Sequence, residues 1–150
     1  MVLLENRKAR LEYEILQTHM AGIVLSGGEV KSLRNKSGSF TGSYVKIIGG
    51  EAFLLNAQIT PYPFADNEDY DPKRTRKLLL KKKEITELME EENIKGFTIV
   101  PLNFELIANK IKLKIGVGRG KKQYERRAEM KKKAIERDVQ REVRGKVRIH

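Results

Sequence analysis

The pattern of apolar and polar positions predicts a protein made mainly of β-strands, with short helices between them. The clearest signal is a hairpin, in which two β-prone runs, 44–48 and 51–55, are joined by Gly49 and Gly50. Both glycines can adopt the positive φ angles of a tight turn without steric cost. Further along, apolar residues alternate with polar ones over 111–117, which predicts a half-buried strand with a basic outer face.

Two longer segments predict less regular strands. Residues 13–25 suit a strand that is interrupted near Ala21 and Gly22 and whose last three residues are buried. Over residues 97–106 the apolar residues lie at odd positions up to Ile99 and at even positions from Val100, and this change of phase predicts a bulge or bend beside Pro101. Together with the hairpin, these segments predict five or six antiparallel strands and a small closed β-barrel of the OB type.

A short helix is predicted directly after the first long strand. Ser26 lies three residues before Glu29, which is the sequence form of a capping box. The helix would extend over about 29–35, with Lys31 and Arg34 facing solvent.

A second helix is predicted within 74–93, where apolar residues share one face. Its charges oppose the helix dipole, because three lysines at 81–83 precede three glutamates. Local stability therefore does not explain these lysines, and together with the basic residues at 73–77 they are placed for an external anion.

Two further segments have local predictions of their own. Residues 5–10 predict a short basic helix or arm, and 64–72 predict a surface loop.

Charge divides the chain of 150 residues into two parts, because most of its net charge of +11 lies at the C-terminal end. Residues 119–150 contain 13 lysines or arginines and five acidic residues, with few large apolar side chains. We therefore expect an OB-type barrel with inserted helices over 1–118 and a basic tail, disordered when free and helical when bound, over 119–150. Ile135, Val139 and Val143 recur every four residues, so an induced helix would have one apolar face.

Clustered basic charge favours a polyanionic partner, because released counterions drive such binding. Nucleic acid fits better than a membrane, since the tail lacks the bulky apolar face of an interfacial helix and Glu5 interrupts the first apolar run. Tyr124 is the only aromatic residue of the tail, which favours recognition of a folded RNA by shape and backbone over readout by a row of rings. The absence of cysteine fits a cytoplasmic protein.

Catalytic and metal-binding patterns are weak. His19 and His150 lie far apart and lack the paired spacing of metal ligands. Residues 116–121 lack the spacing of a phosphate-binding loop, so we interpret them as the end of a strand and a swivel for the tail. Acidic runs at 66–71 and 90–92 are interpreted as a solvated loop and a helix end. We therefore expect no catalytic residues, no metal and no cofactor, and a protein that is not an enzyme.

Six segments read NRKAR, AGIVL, GEVKSLR, DPKRTRKLLL, VPL and GRGKK, at 6–10, 21–25, 28–34, 71–80, 100–102 and 118–122. In order and spacing they resemble the bacterial SsrA-binding protein (small protein B) family. The resemblance covers nearly the whole chain, from about Asn6 to Arg127.

This resemblance implies an RNA-binding protein that acts in trans-translation, the rescue of stalled ribosomes with peptide tagging. In this family the barrel binds the tRNA-like domain of transfer-messenger RNA (tmRNA, or SsrA RNA), and the tail occupies the decoding centre and the empty mRNA channel. The implied partners are tmRNA, small-subunit ribosomal RNA at the decoding centre and, through alanyl-tmRNA, elongation factor Tu. We expect a monomer in a 1:1 complex with RNA.

Carried over residue by residue, the resemblance implies two sets of RNA contacts. The surface for the tRNA-like domain comprises Gly22, Lys31, Arg34, Arg74, Arg76, Lys77 and Lys81. The contacts in the decoding centre and mRNA channel comprise Gly120, Lys121, Lys122, Tyr124, Glu125, Arg126, Arg127, Lys131, Lys132, Lys133, Arg137 and Arg141. Glu29 also lies in a family motif, but we give its capping role precedence over RNA contact.

Two other classes of protein remain open. A structural ribosomal protein or a general OB-type RNA chaperone would need a similar basic arm. A nuclease or RNA-modifying enzyme would be revealed by turnover of the bound RNA.

Overall fold

The computed structural model describes residues 1–121 together with Ala134 and Arg137. The fold is mainly β with three short helices in the unit Met1–Gly120, while Lys121–His150 forms a separate unit. In chain order the elements of the first unit are β1 (Val2–Glu5), α1 (Arg7–Glu12), β2 (Tyr13–Ile23), α2 (Gly27–Arg34), β3 (Gly38–Ser39), β4 (Tyr44–Ile48), β5 (Glu51–Leu55), β6 (Gln58–Ile59), β7 (Arg76–Leu79), α3 (Lys82–Glu92), β8 (Phe97–Ile107) and β9 (Lys110–Gly120).

Seven strands form one antiparallel sheet in the order β1-β8-β9-β2-β7-β5-β4, and β3 pairs with β6 in a second sheet. β1 and β4 lie at opposite ends of the seven-stranded order, and no ladder joins them within residues 1–121. The sheet is therefore not closed, and the prediction of a closed barrel is wrong. Apolar alternation shows that a strand has one buried face, which open sheets and barrels share, so it cannot reveal whether the outermost strands pair.

The glycine-linked hairpin is confirmed. β4 and β5 pair in register up to Ile48 and Glu51. Gly49 and Gly50 connect them with φ angles of 59° and 77°. These angles lie in the left-handed region, which glycine adopts at no steric cost.

The bend predicted beside Pro101 is also confirmed, because the register between β8 and β9 shifts between Pro101 and Asn103. β9 itself continues to Gly120, so most of the segment predicted to be a swivel belongs to the sheet. A Cβ atom on Gly118 would lie 2.8 Å from the carbonyl oxygen of Glu14. This glycine therefore lets β2 and β9 approach closely, which is a packing role.

The predicted interruption of the first long strand is wrong. β2 continues through Ala21 and Gly22, and its irregularity lies instead between Ile15 and Gln17. The residues after β2 are not uniformly buried either, since Val24 is 47% exposed.

Two strands of the seven-stranded sheet, β1 and β7, were not predicted from the sequence, and neither were the two-residue strands β3 and β6. β1 pairs with β8, although its short apolar run gives no alternating pattern. β7 occupies the first part of the window assigned to a helix, and α3 begins only at Lys82. Because β7 lies between β2 and β5, strands on both sides supply its partners, and this environment is not visible in a basic local sequence.

The apolar core joins the sheet to two helices. Leu33 of α2 and Leu88 of α3 are completely buried, together with Phe104 of β8. Phe40 stacks on Phe104 with ring centroids 4.8 Å apart. Residues four positions apart share a helix face, so the burial of Leu33 also turns Glu29 toward the interior.

Candidate nucleic-acid interface

A buried charged cluster surrounds Glu29 at the start of α2. The Ser26 amide donates to Glu29 Oε1 at 2.9 Å, and the Glu29 amide donates to Ser26 Oγ at 3.2 Å. The predicted capping box is therefore confirmed. The tertiary structure adds two cations to it, Arg74 from the loop before β7 and Arg76 from β7 itself.

Arg76 lies entirely inside the protein, with no exposed side-chain surface. Its Nε donates to Glu29 Oε2 at 2.7 Å, its Nη1 donates to the Ala57 carbonyl at 2.7 Å, and its Nη2 donates to the Pro72 carbonyl at 3.0 Å. The guanidinium is thus satisfied by protein groups. The expectation that Arg76 contacts RNA directly does not fit this burial. Arg76 instead holds Glu29, the carboxylate that also binds Arg74.

Arg74 occupies a different position, at the rim of the same cluster. Its Nη2 pairs with Glu29 Oε1 and donates to the Val24 carbonyl at 3.2 Å, while its Nε donates to Glu29 Oε2 at 3.2 Å. About a third of the side chain, 34%, remains exposed. Arg74 is therefore held in one orientation and still presents a cationic edge to solvent.

The electrostatics of the cluster keep Glu29 ionised. Burial by itself would raise the pKa of Glu29, but hydrogen bonds from Arg74, from the Ser26 amide and from Arg76, with the charge of Arg76, lower it from 4.5 to about 2. The two arginines outweigh the single carboxylate, so the cluster carries a net positive charge.

Tyr70 closes the cluster from the loop side. Its hydroxyl lies 2.9 Å from the Ile59 carbonyl and 3.2 Å from Glu29 Oε2, and it accepts from Arg76 Nη2 at 3.3 Å. Burial and then the charge of Glu29 raise the pKa of Tyr70, so the hydroxyl stays protonated and able to donate.

Two other residues of the predicted surface, Gly22 and Lys77, lie on the neighbouring strands β2 and β7. Gly22 pairs with Leu79 across the β2–β7 ladder, where an added Cβ would lie 3.1 Å from Leu79 Cβ. The Val24 amide donates to the carbonyl of Lys77 at 3.0 Å, and the exposed Lys77 ammonium pairs with Glu51 at 3.2 Å.

The remaining cations of the predicted surface lie on helices or beside them. Lys31 and Arg34 are exposed on α2, the helix that carries Glu29. Lys81 is exposed at the N-cap of α3, two residues beyond the end of β7.

Only part of the second predicted set lies in the described residues. Gly120 ends β9, Lys121 follows it, and Arg137 is helical and exposed. The other predicted contacts fall outside the described residues, and they are Lys122, Tyr124, Glu125, Arg126, Arg127, Lys131, Lys132, Lys133 and Arg141. The expectation of a tail that is disordered when free and helical when bound likewise concerns this part of the chain.

Sequence reasoning missed the role of Glu29 as the centre of the cluster. One signal was available, because Glu29 and Leu33 are four residues apart and therefore share the inward face of α2. A carboxylate on an inward face needs a cation nearby. The sequence does not reveal which cation that is, since many arginines and lysines are available.

Neither metal-binding nor membrane-spanning features were found in the part of the chain that the structure describes. There, no group of three or more histidine, cysteine or acidic side chains is arranged to hold a metal ion. None of the helices among these residues is long and apolar enough to span a bilayer.

These features define a mainly β protein with a basic surface organised around a buried carboxylate–arginine cluster. Residues 3–145 match the family model described as SmpB protein. The chain belongs to the SmpB protein family, which confirms the resemblance found in its motifs.

Individual relatives are similar over nearly their whole length. The SsrA-binding protein of Aquifex aeolicus is 49% identical over 146 residues, which cover 97% of this chain and 93% of that protein. The SsrA-binding protein of Staphylococcus saprophyticus is 46% identical over 144 residues, with coverage of 96% and 94%. A solved structure described as "tmRNA-SmpB: a journey to the center of the bacterial ribosome" is 46% identical, with a TM-score of 0.69 and coverage of 90% of this chain and 95% of that one.

Proposed function

We propose that this chain binds the tRNA-like domain of tmRNA and delivers it to stalled ribosomes for trans-translation, which rescues the ribosome and tags the unfinished peptide. The observation that carries this proposal is similarity over nearly the full length to proteins named SsrA-binding protein and to a solved tmRNA–SmpB structure. The basic surface near α2 and β7 supplies suitable chemistry, because cations that neutralise phosphates release counterions.

Within this surface, exposed and buried residues take different parts. The exposed cations would contact the RNA backbone, and they are Lys31, Arg34, Arg74, Lys77 and Lys81. Gly22 has no side chain and would let the RNA backbone approach the protein closely. Arg76 and Glu29 would act as positioning residues, since both are buried. Holding Arg74 in place before binding reduces the side-chain entropy that the complex must lose.

The second part of the proposal concerns the basic residues from Gly120 onward. They would contact the decoding centre and the mRNA channel, with small-subunit ribosomal RNA as the partner. The dense positive charge of 119–150 supports this role, because such a segment is attracted to ribosomal RNA. In this proposal 1–118 and 119–150 act as separate modules.

The protein would work as a non-catalytic factor in the cytoplasm, as a monomer in a 1:1 complex with tmRNA. Elongation factor Tu would be a further partner through alanyl-tmRNA. The membership of the chain in the SmpB protein family supports a role in RNA binding.

Sequencing the RNA that co-purifies with the protein tests the proposal. Strong enrichment of one tRNA-like RNA is expected, whereas bulk ribosomal RNA or mixed transcripts would favour a structural ribosomal protein or a general RNA chaperone. Cleavage of labelled tmRNA in the presence of Mg²⁺ would favour a nuclease.

A pair of charge-reversal variants controls this experiment. Lys31→Glu combined with Arg34→Glu should abolish the enrichment, because both changes lie on the exposed face of α2. Lys46→Glu changes an exposed lysine on the edge strand β4 and should retain the enrichment.

A further inference from the structure

An aromatic pair lies in the loop that follows β6. The rings of Tyr62 and Phe64 meet edge to face, with centroids 5.6 Å apart and an interplanar angle of 67°. Phe64 is 87% exposed, the highest exposure of any large apolar side chain in the described residues. A ring this exposed contributes little to the core, so its apolar faces are available for contact with a partner.

The loop that carries this pair is held against α2. The Ala65 amide donates to the Tyr62 carbonyl at 3.1 Å, and Asn67 Nδ2 donates to the same oxygen at 2.7 Å. The loop packs over Gly28 of α2, where an added Cβ atom would lie 3.2 Å from Ala65 Cβ. The hydroxyl of Tyr70 fastens the far end of the loop to the Glu29 cluster.

Lys31 links the aromatic pair to the basic surface. Its ammonium lies 5.3 Å from the centroid of the Tyr62 ring, which is the geometry of a cation–π contact. Tyr62 is therefore engaged by Lys31 and by the neighbouring ring. Phe64 remains the ring that is free to receive a partner from solvent.

We propose that Phe64 is a stacking platform for one unpaired nucleobase of the RNA held by the neighbouring basic surface, with Tyr62 packed against the Phe64 ring and Lys31 holding Tyr62 in place. This inference rests on the proposed function and adds a base contact to it. Every nucleobase has a π-face, so a single ring accepts any base and contributes affinity without sequence readout.

The acidic residues that follow in the loop favour a base over a phosphate at this point. Asp66 and Glu68 lie two and four residues after Phe64, and the Glu68 amide donates to Asp66 Oδ1 at 3.1 Å. Their negative charge opposes a backbone phosphate, whereas an uncharged base can approach. The Phe64 contact therefore contributes affinity without releasing counterions.

A fluorescence experiment on the full-length chain tests the contact, because the chain contains no tryptophan. In Phe64→Trp the new indole is the only one, and it should be quenched when a transcript of the tmRNA tRNA-like domain saturates the protein. Ile94→Trp, at a residue that is 50% exposed beyond the acidic end of α3, is the matched control and should keep its emission. Unchanged emission of Phe64→Trp at saturation would overturn the inference.

A binding titration with Phe64→Leu provides the second test. Leucine keeps an apolar side chain but removes the ring, so affinity for the same transcript should fall roughly tenfold, with the salt dependence unchanged. Wild-type affinity in this variant, or a shallower salt dependence, would contradict the stacking contact while leaving the proposed function standing. Failure of the wild-type chain itself to bind the transcript would refute the proposed function, and the stacking contact with it.

Discussion

Glu29 and Arg76 form an ion pair from which solvent is excluded. Arg76 Nη2 lies 2.6 Å from Glu29 Oε2, and the side chains are 0% and 1% exposed. The pair joins α2 to β7, so it connects a helix to an interior strand of the sheet. Desolvating two charges costs several kcal/mol, and an intact pair therefore adds little net stability, whereas a broken one is costly.

The first prediction concerns the charge of Glu29. Glu29→Gln keeps the shape and hydrogen-bonding capacity needed for the capping box but leaves Arg76 buried without a counter-charge. The free energy of unfolding, measured by urea denaturation, should fall by about 3 kcal/mol.

Glu51→Gln is the matched control for that change. Glu51 pairs with Lys77, but the two side chains are 52% and 47% exposed. Removing this charge should change the free energy of unfolding by less than about 1 kcal/mol. Equal effects of the two substitutions would show that burial of the Glu29 pair has no energetic importance.

The second prediction follows from the lowered pKa of Glu29, which is about 2 in the folded protein. A carboxylate whose pKa is depressed on folding contributes stability that is fully present above its unfolded pKa. As the pH falls from 4.5 towards 2, roughly 3 kcal/mol of this contribution should be lost. Denaturation of wild type and Glu29→Gln between pH 2 and pH 6 should show the two stabilities converging at low pH. A constant difference across this range would contradict the assignment.

The third prediction separates the two arginines. Arg74→Gln removes one partner of the buried Glu29 carboxylate but leaves it paired with Arg76, so the free energy of unfolding should fall by about 1–2 kcal/mol. Because Arg74 is partly exposed, the salt dependence of tmRNA binding should become shallower by about one unit of log–log slope.

Arg76→Gln should give the opposite result. It removes donors to Glu29 and to the Ala57 and Pro72 carbonyls, so the loss of stability should be about 3 kcal/mol or more. Measured under conditions in which the variant is folded, its salt slope should remain that of the wild type. A shallower slope for Arg76→Gln alone would show that Arg76 contacts phosphate directly.

The fourth prediction concerns Tyr70, whose hydroxyl joins the loop to Glu29 and to the Ile59 carbonyl. Tyr70→Phe removes these hydrogen bonds while keeping the ring, so the free energy of unfolding should fall by about 1–2 kcal/mol. Tyr44→Phe, at a residue that is 43% exposed on β4, should have almost no effect. Equal values for the two variants would rule out a role of the Tyr70 hydroxyl in stability.

The fifth prediction separates the two proposed modules. β9 extends to Gly120 and pairs there with Tyr13, so a stop codon placed after Lys121 should leave the sheet intact. The shortened protein should unfold at nearly the same temperature and bind the tRNA-like domain with little loss, but it should not support peptide tagging. A large loss of tmRNA affinity would show that the tail takes part in binding this domain.

Local patterns in the sequence were enough to predict the elements that depend only on neighbouring residues. The hairpin around Gly49, the capping box at Ser26 and the bend beside Pro101 each depend on residues a few positions apart, and all three are confirmed. Family membership was also recognisable, because the motifs keep their order and spacing along the chain.

Only the tertiary structure decided which basic residues face solvent. Arg74 and Arg76 are two positions apart in one basic segment, yet one is partly exposed and the other is completely buried. The difference arises because β7 pairs on both sides within the sheet and brings Arg76 against a carboxylate 47 positions earlier in the chain. The sequence could not show whether the sheet closes either, because the pattern of side chains along one strand does not reveal which other strands pair with it.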